Sequence, residues 1–198
     1  MSSRDQILHT IRKNLPQAVP LPDHSGNWIQ YDDPVAQFTE VLNGVGGDVH
    51  IISSVSEIPA HFEEFVNNDQ FIVSCVDGVF DGRFDLSTVT DPHDLQGVDL
   101  AILPGELGVA ENGAIWVTDE HVPIRVLYFL TQHLSLVLPK SMVLNNMHEA
   151  YEQIDPALRA FGTFISGPSK TADIEQSLVK GAHGARTMKV FLIEDSNG

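Results

Sequence analysis

The residues with the clearest chemical potential form one run, Gly167-Pro168-Ser169-Lys170-Thr171-Ala172-Asp173-Ile174-Glu175, with Gly181, His183 and Gly184 just behind. Two hydroxyls flank an ammonium group. Unpaired N–H groups at a helix start, beside such side chains, make an anion site. The apolar run Phe161-Gly162-Thr163-Phe164-Ile165 reads as a strand, and Ile174 and Leu178 stand one helical turn apart. The expected local structure is strand, tight turn, helix start. Gly167 supplies backbone angles closed to other residues, and Pro168 fixes one dihedral of the turn. Ser169 or Thr171 then caps the helix. Asp173 and Glu175 also suit the positive end of a helix dipole without any ligand. No Walker pattern is present.

A second candidate is Glu111, in Ala110-Glu111-Asn112-Gly113-Ala114. Asn-Gly is a strong hairpin signal, so a polar residue leading into a tight turn is one reading. A carboxylate held beside a cation can instead accept a substrate hydroxyl, act as general base or act as nucleophile. His183 can move a proton or recognise a carboxylate; a loop histidine bonded to backbone is the alternative. His133 opens an apolar strand and reads as structural, and His121 sits in a polar turn. Arg125, in an apolar stretch, either binds a carboxylate or pairs with an acid.

Some chemistries find no support. The 9 histidines form no HExxH or other zinc spacing, so no metal site is expected. No Ser-His-Asp order and no GxSxG nucleophile elbow appear, and no GxGxxG turn opens a βα unit, so no nicotinamide or flavin cofactor is expected. The single cysteine, Cys75, cannot supply the four thiolates of an iron–sulfur cluster.

These residues need elements to hold them. Ser3 and Gln6 have capping-box spacing, ahead of a stripe of Ile7, Leu8, Ile11 and Leu15. Pro16, Pro20 and Pro22 end that helix, and residues 1–30 read as a helix and proline-rich arm before a domain at 31–198. Asp33-Pro34 starts a helix with Val35, Phe38, Leu42 and Val45 inside, and Gly46-Gly47 stop it. Ser56 caps another, with Ile58, Phe62, Phe65 and Val66 inside. Strands are expected at 49–52, 71–76, 98–103, 114–118, 134–138 and 188–193. Residues 77–97 form an irregular excursion. Met147, Ala150, Tyr151, Ile154 and Leu158 are helically spaced, with Asp155-Pro156 as a break.

Such alternation implies an α/β fold with a mainly parallel sheet covered on both faces. At 198 residues this is one domain of ordinary size. A net charge of −16 repels nucleic acid and anionic membranes. The first residues hold no apolar signal core, and no run is long enough to span a bilayer, so a cytoplasmic protein is expected.

Residues 167–184 resemble the C-terminal signature of the lactate utilisation protein C family, the LUD domain. Ala110-Glu111-Asn112-Gly113-Ala114 resembles its second block and His133 its third. Asn112 and Ala114 replace hydroxyl residues of the family pattern, Ala185 replaces a proline, and Phe129-Leu130 stands for Leu-Pro. The resemblance covers roughly residues 35 to 194. It implies a three-layer αβα fold similar to ribose-5-phosphate isomerase and the coenzyme A transferases. It also implies a non-redox part in oxidising L-lactate to pyruvate beside iron–sulfur partner proteins, with a small carboxylate as ligand. Gly113, Gly167, Ser169, Lys170, Thr171, Asp173, Glu175 and Gly184 are then the binding residues, and Glu111 and His183 the catalytic ones. Two other readings stand beside it. Ala-Glu-Asn-Gly is similar to the nucleophile element of class I coenzyme A transferases, which implies acyl transfer on Glu111. The chain could also be an assembly module with a vestigial pocket.

Ligands of open parallel sheets sit at the carboxyl ends of strands. Pro104-Gly105-Glu106 and Gly167-Pro168-Ser169 each follow a strand, so both turns are expected at one edge. Glu111, Lys170 and His183 are expected to share a cavity there.

Overall fold

The computed structural model describes residues 2–16, 19–20, 26–155, 157–171, 179–180 and 184–195. Its helices are α1 (Ser3–Lys13), α2 (Pro34–Gly44), α3 (Glu63–Asn67), α4 (Leu127–Leu130) and α5 (Met147–Gln153). Its strands are β1 (Gly47–Ile52), β2 (Ile72–Ser74), β3 (Leu100–Pro104), β4 (Leu107–Val109), β5 (Ala114–Thr118), β6 (His133–Pro139), β7 (Val143–Leu144), β8 (Gly162–Ile165), β9 (Lys170–Thr171), β10 (Val179–Lys180) and β11 (Thr187–Ile193).

The main sheet has the order β1-β11-β6-β3-β2, and every pairing in it is parallel. Side chains alternate between its faces. Leu100, Ile102, Val137 and Phe191 point to one side, where Ile58 and Phe62 of a 3-10 helix (Val55–Phe62) cover them. Ala101, Leu103, Leu134, Leu136, Val190 and Leu192 point to the other, against Phe38 and Leu42 of α2 and Leu127 and Tyr128 of α4. Helices thus lie on both faces of a mainly parallel sheet, as expected.

Local chemistry explains the element starts. Asp33 caps α2 by accepting from Ala36 N, with Pro34 at the first helical position. The 3-10 helix begins two residues earlier than expected, because Ser54 closes a capping box with Glu57 and Ser56 only donates to Ser54. The capping box of α1 is likewise Ser2 with Asp5, not Ser3 with Gln6.

One element of the sequence reading is overturned. The strands do not form a single sheet. A second sheet, ordered β7-β4-β5-β8, packs beside the first and is largely antiparallel. Ile115 and Val117 of β5 face the main core. Leu107, Val109, Trp116 and Phe164 face away from it, toward Ala150 of α5.

Candidate functional site

The Glu111 block is the link between β4 and β5. Gly113 has φ of +64° and donates its N–H to Val109 O at 2.9 Å. A Cβ there would lie 3.1 Å from the Leu42 backbone, so α2 admits only glycine. Asn112 Oδ1 accepts from Ala114 N at 3.0 Å, and Glu111 N donates to Asn145 O at 3.1 Å. Glu111 itself is half-buried.

The signature turn lies alongside. Gly167 is buried with φ of +72°, and a Cβ on it would meet Val45 Cγ2 at 2.9 Å. Pro168 packs on Gly46. Ser166 Oγ donates to Asn112 O at 2.9 Å, which ties the two turns together. Ser169 N donates to Ala185 O at 2.8 Å, and Gly184 lies so close to Ser169 that an added Cβ would stand 3.0 Å from its own.

The expected helix start at Ser169–Thr171 is corrected. Lys170 and Thr171 form β9, antiparallel to β10, with Lys170 in register with Lys180 and Thr171 with Val179. With Ser169 N on Ala185 O and Lys170 and Thr171 in a ribbon, no row of free helix N–H groups opens among the described residues. Asp173, Glu175 and His183 lie outside the described residues.

The shared-edge expectation also fails, and the two sheets explain why. Gly105 N donates to Val137 O at 2.8 Å, which puts Pro104-Gly105 at the carboxyl ends of the main strands. The signature turn instead meets Gly46 ahead of β1, Ala185 ahead of β11 and Leu134 near the start of β6, at their amino ends. Glu111 and Gly167 nevertheless emerge together. Their strands, β4 and β8, both run antiparallel to β5. The topological premise of one sheet was wrong; the neighbourhood of the two turns follows from the second sheet.

A cavity of about 430 Å³ opens at the signature turn. Ser166 to Lys170, Gly184, Tyr128, Phe129 and Leu134 are among its walls. Lys170, among its walls, is exposed, and Phe129, Leu134 and the Tyr128 ring give it apolar surface. Burial first, then the Cys75 thiolate where it forms and the Glu106 and Asp119 carboxylates, push the Tyr128 phenol well above its ordinary pKa, so it stays protonated. Its hydroxyl donates to Thr118 O at 3.0 Å, and Thr118 donates in turn to Glu106. Glu111 is not among the residues that line this cavity. Ser166 and Tyr128 were not singled out from sequence. Only Ser166 had a signal, its place directly before Gly167.

His133 stands elsewhere, in a larger cavity of about 550 Å³ with Thr187, Lys189, Asp48, Phe62 and Phe65. Its Nδ1 lies 2.7 Å from Thr187 Oγ1. Arg125 lies over the Phe161 ring at 5.6 Å, and among the described residues it meets no acid. His121 is exposed, beside Cys75 and Pro104 at the carboxyl-end cavity of about 440 Å³. Among the described residues no cluster of His, Cys, Asp and Glu could hold a metal ion, and no helix is long and apolar enough to cross a membrane.

Comparison with known proteins bears on this site. A lactate utilization protein C from Geobacillus thermodenitrificans is 31% identical over 103 residues, 49% of this chain and 43% of that protein. One from Bacillus pumilus is 36% identical over 97 residues, 44% of this chain and 39% of that protein. The chain thus spans less than half the length of these curated relatives. A solved structure of a DUF162 family protein from Deinococcus radiodurans superposes with a TM-score of 0.59 at 14% identity, covering 84% of this chain and 99% of that one, which supports the fold. The LUD domain model matches residues 91–193, just over half of the sequence and inclusive of both turns, and the chain belongs to the LUD domain family.

Proposed function

We propose that this chain serves lactate utilisation as a non-redox component that holds a small carboxylate, lactate or pyruvate, at the signature turn. The observation that carries the reading is the cavity at Gly167 to Lys170. It joins a lysine and a serine to an apolar floor of Phe129 and Leu134, which suits a three-carbon acid with one charged end. The name shared by the relatives sets the metabolic context. The one cysteine of the chain cannot supply the four thiolates of a cluster, and the family resemblance points to iron–sulfur partner proteins as the electron carriers. Calorimetry with lactate and pyruvate, alone and with those partners present, tests this. Lys170→Ala is expected to weaken binding about fivefold, near 1 kcal/mol, since an exposed cation contributes less than a buried one. Binding that is unchanged in this variant, or no carboxylate binding at all, sinks the proposal.

The Ser166 to Asn112 bond favours one second reading, acyl transfer on Glu111, because it ties the Glu111 turn to the turn that lines the cavity. Glu111 would attack an acyl thioester and release the thiolate. Incubation with an acyl-coenzyme A and hydroxylamine would then mark Glu111, and Glu111→Gln would abolish the mark. An unmarked Glu111 removes this reading and leaves the first intact.

A further inference from the structure

Helix α1 buries none of its residues. Ile7 and Ile11, one turn apart on one face, are 58% and 54% exposed, and Leu15, just past the C-cap Asn14, is 64% exposed. An 11-residue helix is marginal in water without a surface to pack on. The helix is also basic. It carries Arg4, Arg12 and Lys13 against one acid, Asp5, whose carboxylate is engaged in the capping box.

A surface of the matching kind lies on α5. Trp28 stacks flat on His148 with ring centroids 3.4 Å apart, and Asn146 Nδ2 holds Ile29 O at 2.9 Å. Tyr151, three residues after His148 on the same helical face, is 62% exposed and Ile29 51%. Glu152 and Asp155 are exposed beside them. The patch is therefore apolar with an acidic border, the complement of an apolar stripe with basic flanks. Among the described residues α1 buries no residue against its own chain.

We propose that α1 of one copy docks on the Trp28–Ile29–Tyr151 face of a second copy, and that the exchange is reciprocal. Such an isologous pairing buries both stripes and both patches at once. It sets basic helices against acidic borders, on a chain whose net charge of −16 otherwise opposes self-association.

Light scattering and sedimentation of the full chain test this. The mass of two chains is expected in the micromolar range, falling toward one as salt is raised. Ile7→Asp with Ile11→Asp in one chain, and Tyr151→Arg in another, are each expected to weaken the dimer at least about tenfold. Both variants change exposed positions, and circular dichroism checks that they remain folded. Mixing them should restore association, because the intact helix of the second meets the intact patch of the first. A monomeric parent protein overturns the proposal. So does a Tyr151→Arg chain that stays dimeric, which means the helices pair with each other. A mixture that stays monomeric overturns it too, since each helix then serves only its own chain.

Discussion

The Ser166 hydroxyl donates to the Asn112 carbonyl at 2.9 Å across 54 residues of chain. Through that one bond the turn after β8 and the turn after β4 become a single surface. Both backbones are also pinned from behind by α2, Gly113 against Leu42 and Gly167 against Val45.

Gly167→Ala is therefore expected to destabilise the protein by more than about 2 kcal/mol, from positive-φ strain and the Val45 clash together. Gly82→Ala is the control. Its φ is +70°, yet a Cβ there meets nothing within 4 Å, so only the conformational cost of about 1 kcal/mol applies. Denaturant midpoints of the two variants measure the difference. Equal losses would show that the contact with Val45 is unimportant.

His133 gives a pH dependence. Burial holds its pKa below the ordinary 6.5, against an opposing pull from Asp99, with Arg186 adding a lesser push in the direction of burial. The unfolded chain thus takes up this proton more readily than the folded one. The stability contribution is present above the unfolded pKa and is lost as pH falls through it. His61 shifts in the same direction, chiefly by burial. Urea midpoints are expected to drop between about pH 7.5 and pH 5.5, and His133→Gln should flatten part of that drop. An identical slope in the variant would assign the effect to other groups.

Ser135 lies fully buried in β6, and among the described residues its hydroxyl has no hydrogen-bond partner. Ser135→Ala removes the unmet group and leaves a void smaller than a methyl. A gain of about 1 kcal/mol is expected from the desolvation cost recovered. A melting temperature lowered by the substitution would mean that the hydroxyl is satisfied in solution.

Burial pushes the Cys75 thiol up to about 11. Its thiolate fraction near pH 8 should be about 100-fold below that of an exposed cysteine. Ellman's reagent is expected to label the native protein slowly and the denatured protein at once. Rapid labelling of the native state would place Cys75 in an open environment.

The legible parts of this fold were those with local signals. Asp33-Pro34 announced α2, Asn112-Gly113 announced a tight turn, and the Val/Ile/Leu runs marked the strands of the parallel sheet. The second sheet was not legible, because β4 offers only Leu107-Gly108-Val109 and β7 only Val143-Leu144. Runs this short have no periodicity to read. Their identity comes from pairing, β4 with β5 and β7 with β4. The same gap misplaced the signature turn. Its apparent helix start depended on whether Ser169 N was free, and its partner, Ala185 O, is a tertiary contact no local pattern encodes. The Glu111 and Gly167 blocks were recognisable as chemistry, but their common edge required the direction of β5.

The tight seat of Gly167 has a consequence for any ligand. The turn is held by Val45 and Asn112, and the cavity it opens is walled by Leu134, Ile165 and Ala185, segments that meet only when both sheets are assembled. An unfolded chain has no version of this cavity to offer. A carboxylate held there is thus linked thermodynamically to the whole domain, and at a concentration of 100 times its dissociation constant it adds about 2.7 kcal/mol to global stability. Melting temperature then becomes a ligand assay. A panel of small acids ranked by thermal shift would report the chemistry of the cavity even where no turnover can be measured.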